Sequence, residues 1–162
     1  MLTPPSYVEL ARELRQVLPP AQVITDALRR LAWGTDASFY RLVPQVVVTV
    51  HDEAELRAAL AACRRHRAPC TLRAAGTSLS GQAISDSVLL RLGEGFREVT
   101  IAPDTSTVRL GAAVVGAHAN RLLAPHGRKI GPDPASIDAA HVGGIAANNA
   151  SGMCCGTRDN SY

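Results

Sequence analysis

The stretch Pro44-Gln45-Val46-Val47-Val48-Thr49-Val50 decides the fold, read together with Asp52-Glu53-Ala54-Glu55 and Cys70-Thr71-Leu72-Arg73. Val46 to Val50 is β-branched throughout, as suits a short buried strand. The acids that follow lie where a helix start favours negative charge. Leu56, Ala59, Leu60 and Cys63 recur at helical spacing and are expected to face inward. Arg64-Arg65-His66-Arg67 complements the other end of the helix dipole, and Pro69 breaks the helix. Cys70 to Arg73 reads as a second strand. The three pieces form a βαβ-like unit with an expected core of Val46, Val48, Leu56, Leu60 and Leu72.

Upstream, Ser6-Tyr7-Val8-Glu9 has capping-box spacing and opens a helix that Pro19-Pro20 stops. A second helix is expected over Val23 to Ala32, with Ile24, Ala27, Leu28 and Leu31 on its inner face, and then a loop from Trp33 to Arg41. Downstream, Val88 to Leu92, Arg97 to Ala102 and Thr107 to Ala112 are strand candidates, and Val114 to Leu123 reads as a helix. From Gly131 to Gly156 the chain is mostly Gly, Ala, Ser, Asn and Pro, without a repeat. The fold class is α+β. Residues 1–42 form an N-terminal helical segment, and 43–162 form a domain whose first lobe spans about 43–95 and whose second starts near 96.

Apolar residues are 46% of the 162 and charged residues 19%, which excludes a disordered chain. Seventeen Lys plus Arg against fourteen Asp plus Glu give a net charge of +3, spread along the chain, so no nucleic-acid partner is expected. No apolar run is long enough for a transmembrane segment. Met-Leu-Thr-Pro-Pro-Ser does not read as a secretory leader, so none is expected, and the expected location is cytoplasmic, with attachment to the inner membrane face left open. Cys63, Cys70, Cys154 and Cys155 make no C-x-x-C pair, so reduced thiols are expected and no metal site. The chain stops at Asn160-Ser161-Tyr162 directly after a glycine-rich run and reads as a fragment of a longer polypeptide.

Three segments can carry chemistry. Arg73-Ala74-Ala75-Gly76-Thr77-Ser78-Leu79-Ser80-Gly81-Gln82 follows a strand and offers hydroxyls and unhindered backbone amides, either as a nest for phosphate oxygens or as a plain connection. It is neither a Walker A loop nor a G-x-G-x-x-G fingerprint. Gly131-Pro132-Asp133-Pro134-Ala135-Ser136 is a rigid extended turn. Gly143-Gly144-Ile145-Ala146-Ala147-Asn148-Asn149-Ala150-Ser151-Gly152 has the lack of bulk needed where backbone packs on something flat. His141, just before Gly143-Gly144, reads as structural.

In that order, the three segments resemble the FAD-binding domain of the vanillyl-alcohol oxidase/PCMH flavoprotein superfamily, on the branch of FAD-linked D-lactate, glycolate and D-2-hydroxyglutarate dehydrogenases. Trp33-Gly34-Thr35-Asp36-Ala37-Ser38-Phe39-Tyr40-Arg41 and Gly152-Met153-Cys154-Cys155-Gly156-Thr157 resemble the long members that also carry an iron–sulfur domain. The resemblance implies an incomplete PCMH-type fold and a cofactor contact set. In the first loop these are Arg73, Ala75, Gly76, Thr77, Ser78, Leu79, Gly81 and Gln82, cradling the FAD diphosphate. Further on they are Pro134, Ala135, Ser136, Gly143, Gly144, Ile145 and Asn148. Some relatives place a flavin-tethering histidine where Thr77 stands, so FAD is expected to be held non-covalently.

The resemblance also implies a small 2-hydroxy acid as substrate, with catalytic residues and any iron–sulfur cluster beyond Tyr162. The electron acceptor is left open among quinone, cytochrome and flavoprotein, and the isolated chain is expected to self-associate. Two alternatives stand: a non-catalytic module binding another phosphate ligand, and a different enzyme of the same superfamily.

Overall fold

The computed structural model describes residues 5–152. The chain forms two compact units, Met1–Gly93 and Glu94–Tyr162. Met153 to Thr157, including Cys154 and Cys155, lie outside the described residues.

The first unit opens with α1 (Tyr7–Val17), whose N-cap Ser6 accepts a hydrogen bond from the Glu9 amide at 3.5 Å. Leu10, Ala11 and Leu14 make its buried stripe. The chain then departs from the expected long second helix. Val23–Ile24 is a strand, β1, and only Ala27–Ala32 is helical, as α2. Two local effects account for this. The β-branched pair Val23-Ile24 finds an edge to pair with, antiparallel to Val48 and Val47. Asp26 accepts from the Arg29 amide at 3.0 Å and starts the helix only there. Leu28 and Leu31, expected inside, are exposed.

β2 (Val46–Val50), α3 (Glu53–Arg65), β3 (Cys70–Arg73) and β4 (Val88–Leu92) follow. The sheet order is β1-β2-β4-β3, with β4 parallel to both β2 and β3. The expected βαβ pair is therefore split by β4, which is apolar enough to take the doubly flanked position. Edge placement leaves Leu72 57% exposed. Leu60 is also exposed, because α3 meets the rest of the unit with the small residues Ala59, Ala62 and Cys63. One sheet face carries the cluster Ile24, Val47 and Leu89, against which Trp33 packs.

α1 and α3 are tied by Glu13, whose carboxylate accepts from the Arg65 guanidinium and bonds His66 Nε2 at 2.8 Å. Those two hydrogen bonds outweigh the opposing effect of burial and hold the Glu13 carboxyl below its ordinary value.

In the second unit, β5 (Val99–Ile101) and β6 (Val108–Leu110) form an antiparallel hairpin. α4 (Gly116–Leu123) follows, then a short 3-10 turn that ends at Gly127. α5 (Val142–Ala147) is a six-residue helix inside the stretch from Gly131 to Gly156 that is mostly Gly, Ala, Ser, Asn and Pro. No helix among the described residues is long and apolar enough to cross a membrane.

Two outcomes follow for stability. Val48→Ala, at a fully buried position, should lower unfolding free energy in urea by roughly 0.5–3 kcal/mol, while Leu72→Ala should stay within about 0.5 kcal/mol. Equal losses would contradict the placement of β3 at the edge. Glu13→Gln tests the α1–α3 tie. A carboxyl depressed in the folded state stabilises above its unfolded value and loses that contribution as pH falls through its folded value. The stability gap between wild type and variant should be constant near neutrality and close below about pH 4.5, the ordinary value of the group. A gap that persists undiminished well below that pH would refute it.

Candidate functional site

The parallel strands β2, β4 and β3 place Thr49, Arg91 and Arg73 in one row, since Thr49 pairs with Arg91 and Arg91 with Arg73. Alternation along each strand puts all three on the face that carries Val47 and Leu89. The row lies at the carboxyl ends of the strands, where open α/β sheets bind ligands. Arg91 stacks on the Trp33 ring, with its Cζ 3.7 Å from the centroid, and donates to Thr49 Oγ1 at 3.1 Å. Arg73 Cζ lies 5.3 Å from the same centroid.

The loop following β3 carries the first group of expected cofactor contacts. Gly76 and Gly81 have φ of +78° and +73°, the left-handed region that glycine enters without strain. Between them the Ser78 hydroxyl organises the turn, accepting from the amides of Ser80 and Gln82 at 3.2 Å each and donating to Gln82 Oε1. Among the described residues, the amides of Gly76, Thr77, Ser78, Leu79 and Gly81 have no protein acceptor, nor has the Thr77 hydroxyl. Five unengaged amides on a loop bracketed by left-handed residues form a donor set of the kind that holds phosphate oxygens. The loop fits a diphosphate. It offers backbone donors rather than a charged side chain, because the Ser78 hydroxyl is spent inside the loop and Arg73 turns inward.

Arg73 is 8% exposed. Its Nη1 donates to the carbonyls of Thr35 at 2.8 Å and Ala83 at 3.0 Å, with Trp33 O at 3.5 Å, while its buried Nε has no partner. Asp36 accepts from the Ser38 amide and hydroxyl and, at 3.3 Å, from the Ala83 amide. Burial would raise the Asp36 carboxyl. The Ser38 and Ala83 bonds and the charge of Arg73 prevail and hold it below its ordinary value. Burial lowers both guanidinium values, aided at Arg91 by the charge of Arg73 and opposed at Arg73 by Asp36. A cleft of about 510 Å³ lined by Ala32, Trp33, Thr35, Asp36, Ala37, Arg73 and Gly76 borders the loop.

The remaining expected contacts lie in the second unit. Pro134 and Ser136 are half-buried and form consecutive turns, their carbonyls accepting from Ile137 and from Ala139 and Ala140. Ala135 is exposed. Gly143, Gly144 and Ile145 belong to α5, with Ile145 buried and exposed Asn148 capping the helix end. Gly143 donates to Ala112 O at 2.9 Å, and a Cβ there would stand 2.8 Å from that of Ala112. Bulk is therefore excluded at Gly143 by protein packing alone. Sequence reasoning missed Trp33, Asp36 and Arg91 as supports of the loop. The available signals were an arginine inside the apolar run Val88-Leu89-Leu90-Arg91-Leu92 and the Asp36-x-Ser38 spacing of a side-chain-closed turn.

The chain is 34% identical over 146 residues to the glycolate oxidase subunit GlcD of Escherichia coli (strain K12), covering 88% of this chain and 29% of that protein. It is 31% identical over 157 residues to the D-2-hydroxyglutarate dehydrogenase of the same strain, covering 92% of this chain and 15% of that one. The chain thus spans less than a third of the length of these relatives. Among solved structures, an alkyldihydroxyacetonephosphate synthase superposes with a TM-score of 0.77 at 21% identity, covering 94% of this chain and 31% of that one. p-Cresol methylhydroxylase superposes with a TM-score of 0.74 at 13% identity, covering 89% and 30%. Both likenesses establish the PCMH-type fold, here incomplete. The family described as FAD binding domain matches residues 44–162, and the chain belongs to that family.

Proposed function

We propose that this chain is the cofactor-cradling part of an enzyme that oxidises a D-2-hydroxy acid with non-covalently held FAD. The observation that carries the reading is the set of five unengaged amides between Gly76 and Gly81 at the carboxyl end of a parallel strand. Likeness to a glycolate oxidase subunit and to D-2-hydroxyglutarate dehydrogenases supports the substrate class.

When bound, FAD supplies a two-electron acceptor for the hydrogen on the carbon that bears the substrate hydroxyl. The residues of this chain bind and orient. The amides of Gly76, Thr77, Ser78, Leu79 and Gly81 hold the diphosphate oxygens, and the Thr77 hydroxyl adds a donor. Ser78 and Gln82 keep the loop in register. Threonine has no ring nitrogen to join to a flavin, so retention rests on these bonds. Pro134, Ala135, Ser136, Gly143, Gly144, Ile145 and Asn148 are the residues that the resemblance assigns to the rest of the cofactor.

Two measurements on the intact protein test the reading. Acid precipitation should release all flavin colour into the supernatant, and colour retained in the pellet would contradict non-covalent binding. Gly76→Val should purify without flavin. Its Cβ would stand 2.7 Å from Arg73 Cζ at a φ of +78°, which adds backbone strain of roughly 1–3 kcal/mol. Loss of two or three charge-assisted bonds, at about 1.5–3 kcal/mol each, lowers affinity by several orders of magnitude. Val48→Ala, destabilised in the core, should keep its FAD. Full occupancy in Gly76→Val would remove the loop from the cofactor site.

A further inference from the structure

We propose that Arg73 is a positioning residue for the diphosphate loop and makes no contact with the cofactor: it staples both ends of the loop to the segment Trp33–Ala37. The inference rests on the reading of the loop as a diphosphate seat.

The loop runs from Ala74 to Ala83 without regular structure. At its far end the Ala83 carbonyl accepts from Arg73 Nη1 and the Ala83 amide donates to Asp36 Oδ2. At its near end the Gly76 carbonyl accepts from the Ala37 amide at 2.9 Å, and the Arg73 guanidinium occupies the side of Gly76 on which a Cβ would project. The same Nη1 also binds Thr35 O. One guanidinium thus bonds residues 35 and 83 and packs against Gly76.

With Nη1 taken up by protein carbonyls and the side chain buried beneath the backbone, Arg73 is badly placed to donate to phosphate. Its effect is to hold the loop in the shape that presents its free amides before the ligand arrives, which removes ordering cost from binding. The planar fork of arginine suits this task, since Nη1 reaches the carbonyls while the rest of the fork fills the space beside Gly76, with Cζ 5.3 Å from the Trp33 centroid. Lysine carries the same charge without the fork.

The test uses the intact protein stripped of flavin and titrated with FAD and with riboflavin, which lacks the diphosphate. Wild type should bind FAD far more tightly; equal affinities would defeat the diphosphate reading itself. Arg73→Lys and Arg73→Met should each lose about 10–100-fold in FAD affinity, by analogy with the loss on removing the outer partners of metal ligands, with riboflavin affinity unchanged. Arg73→Lys at wild-type FAD affinity would mean that charge alone suffices and would overturn the positioning role. A parallel loss for both ligands would make Arg73 a merely structural residue and overturn it equally. Should the Arg73 variants fail to fold, Asp36→Asn probes the same loop end through the Ala83 amide. A selective but smaller loss for FAD supports the proposal, and no loss or a parallel loss overturns it.

Discussion

Parallel pairing of β3 with β4 sets two arginines, Arg73 and Arg91, directly beside each other. Like charges so placed repel unless the surroundings compensate. Trp33 offers its ring to both, a contact worth about 0.5–2 kcal/mol for each well-placed cation, and Asp36 lies near enough to oppose the effect of burial on Arg73. The segment from Trp33 to Ser38 is therefore drawn over the end of the sheet. Once there, it supplies the carbonyls and the amide that hold the loop after β3. Sheet register, the Trp33 segment and the shape of the candidate site are parts of one arrangement.

The loop illustrates how a site is built from residues that contribute little side-chain chemistry. Hydroxyl and carboxylate groups nearby are spent on the protein itself: Ser78 on Ser80 and Gln82, and Asp36 on Ser38 and Ala83. What stays available is backbone N–H, a donor whose direction is fixed by φ and ψ rather than by a rotamer. Such donors are effective only if the backbone is held, as it is by the bonds at Gly76 and Ala83 and by the Ser78 hydroxyl within the loop. The second unit uses glycine differently. At Gly143 the limiting neighbour is Ala112 of the same unit.

Much of this was legible in the sequence, and the failures have physical causes. Val46 to Val50 and Val88 to Leu92 are short, mostly apolar runs that read as buried strands. Asp52 to Arg65 carries helix signals at both ends. The α+β class and the loop from Arg73 to Gln82 followed from these patterns. Val23-Ile24 was misread because a two-residue strand has no period, and its state depends on whether an edge is free to pair. The order β1-β2-β4-β3 was hidden because neither β3 nor β4 states its neighbour locally. Leu60 and Leu72 looked like core residues, yet Ala59 and Ala62 make the contact face of α3 while edge position exposes Leu72. Arg73 was read as a ligand contact from its place in the loop motif. Its inward turn depends on carbonyls thirty-eight and ten residues distant in the chain.

The central claim is that backbone amides of the loop from Gly76 to Gly81 hold the cofactor's diphosphate. A crystal structure of the intact protein with FAD tests it most directly. The account predicts diphosphate oxygens within roughly 2.7–3.2 Å of several of the five free amide nitrogens, with the Arg73 guanidinium still on the carbonyls of Thr35 and Ala83. A diphosphate seated elsewhere, with those amides bound only to water, would contradict it.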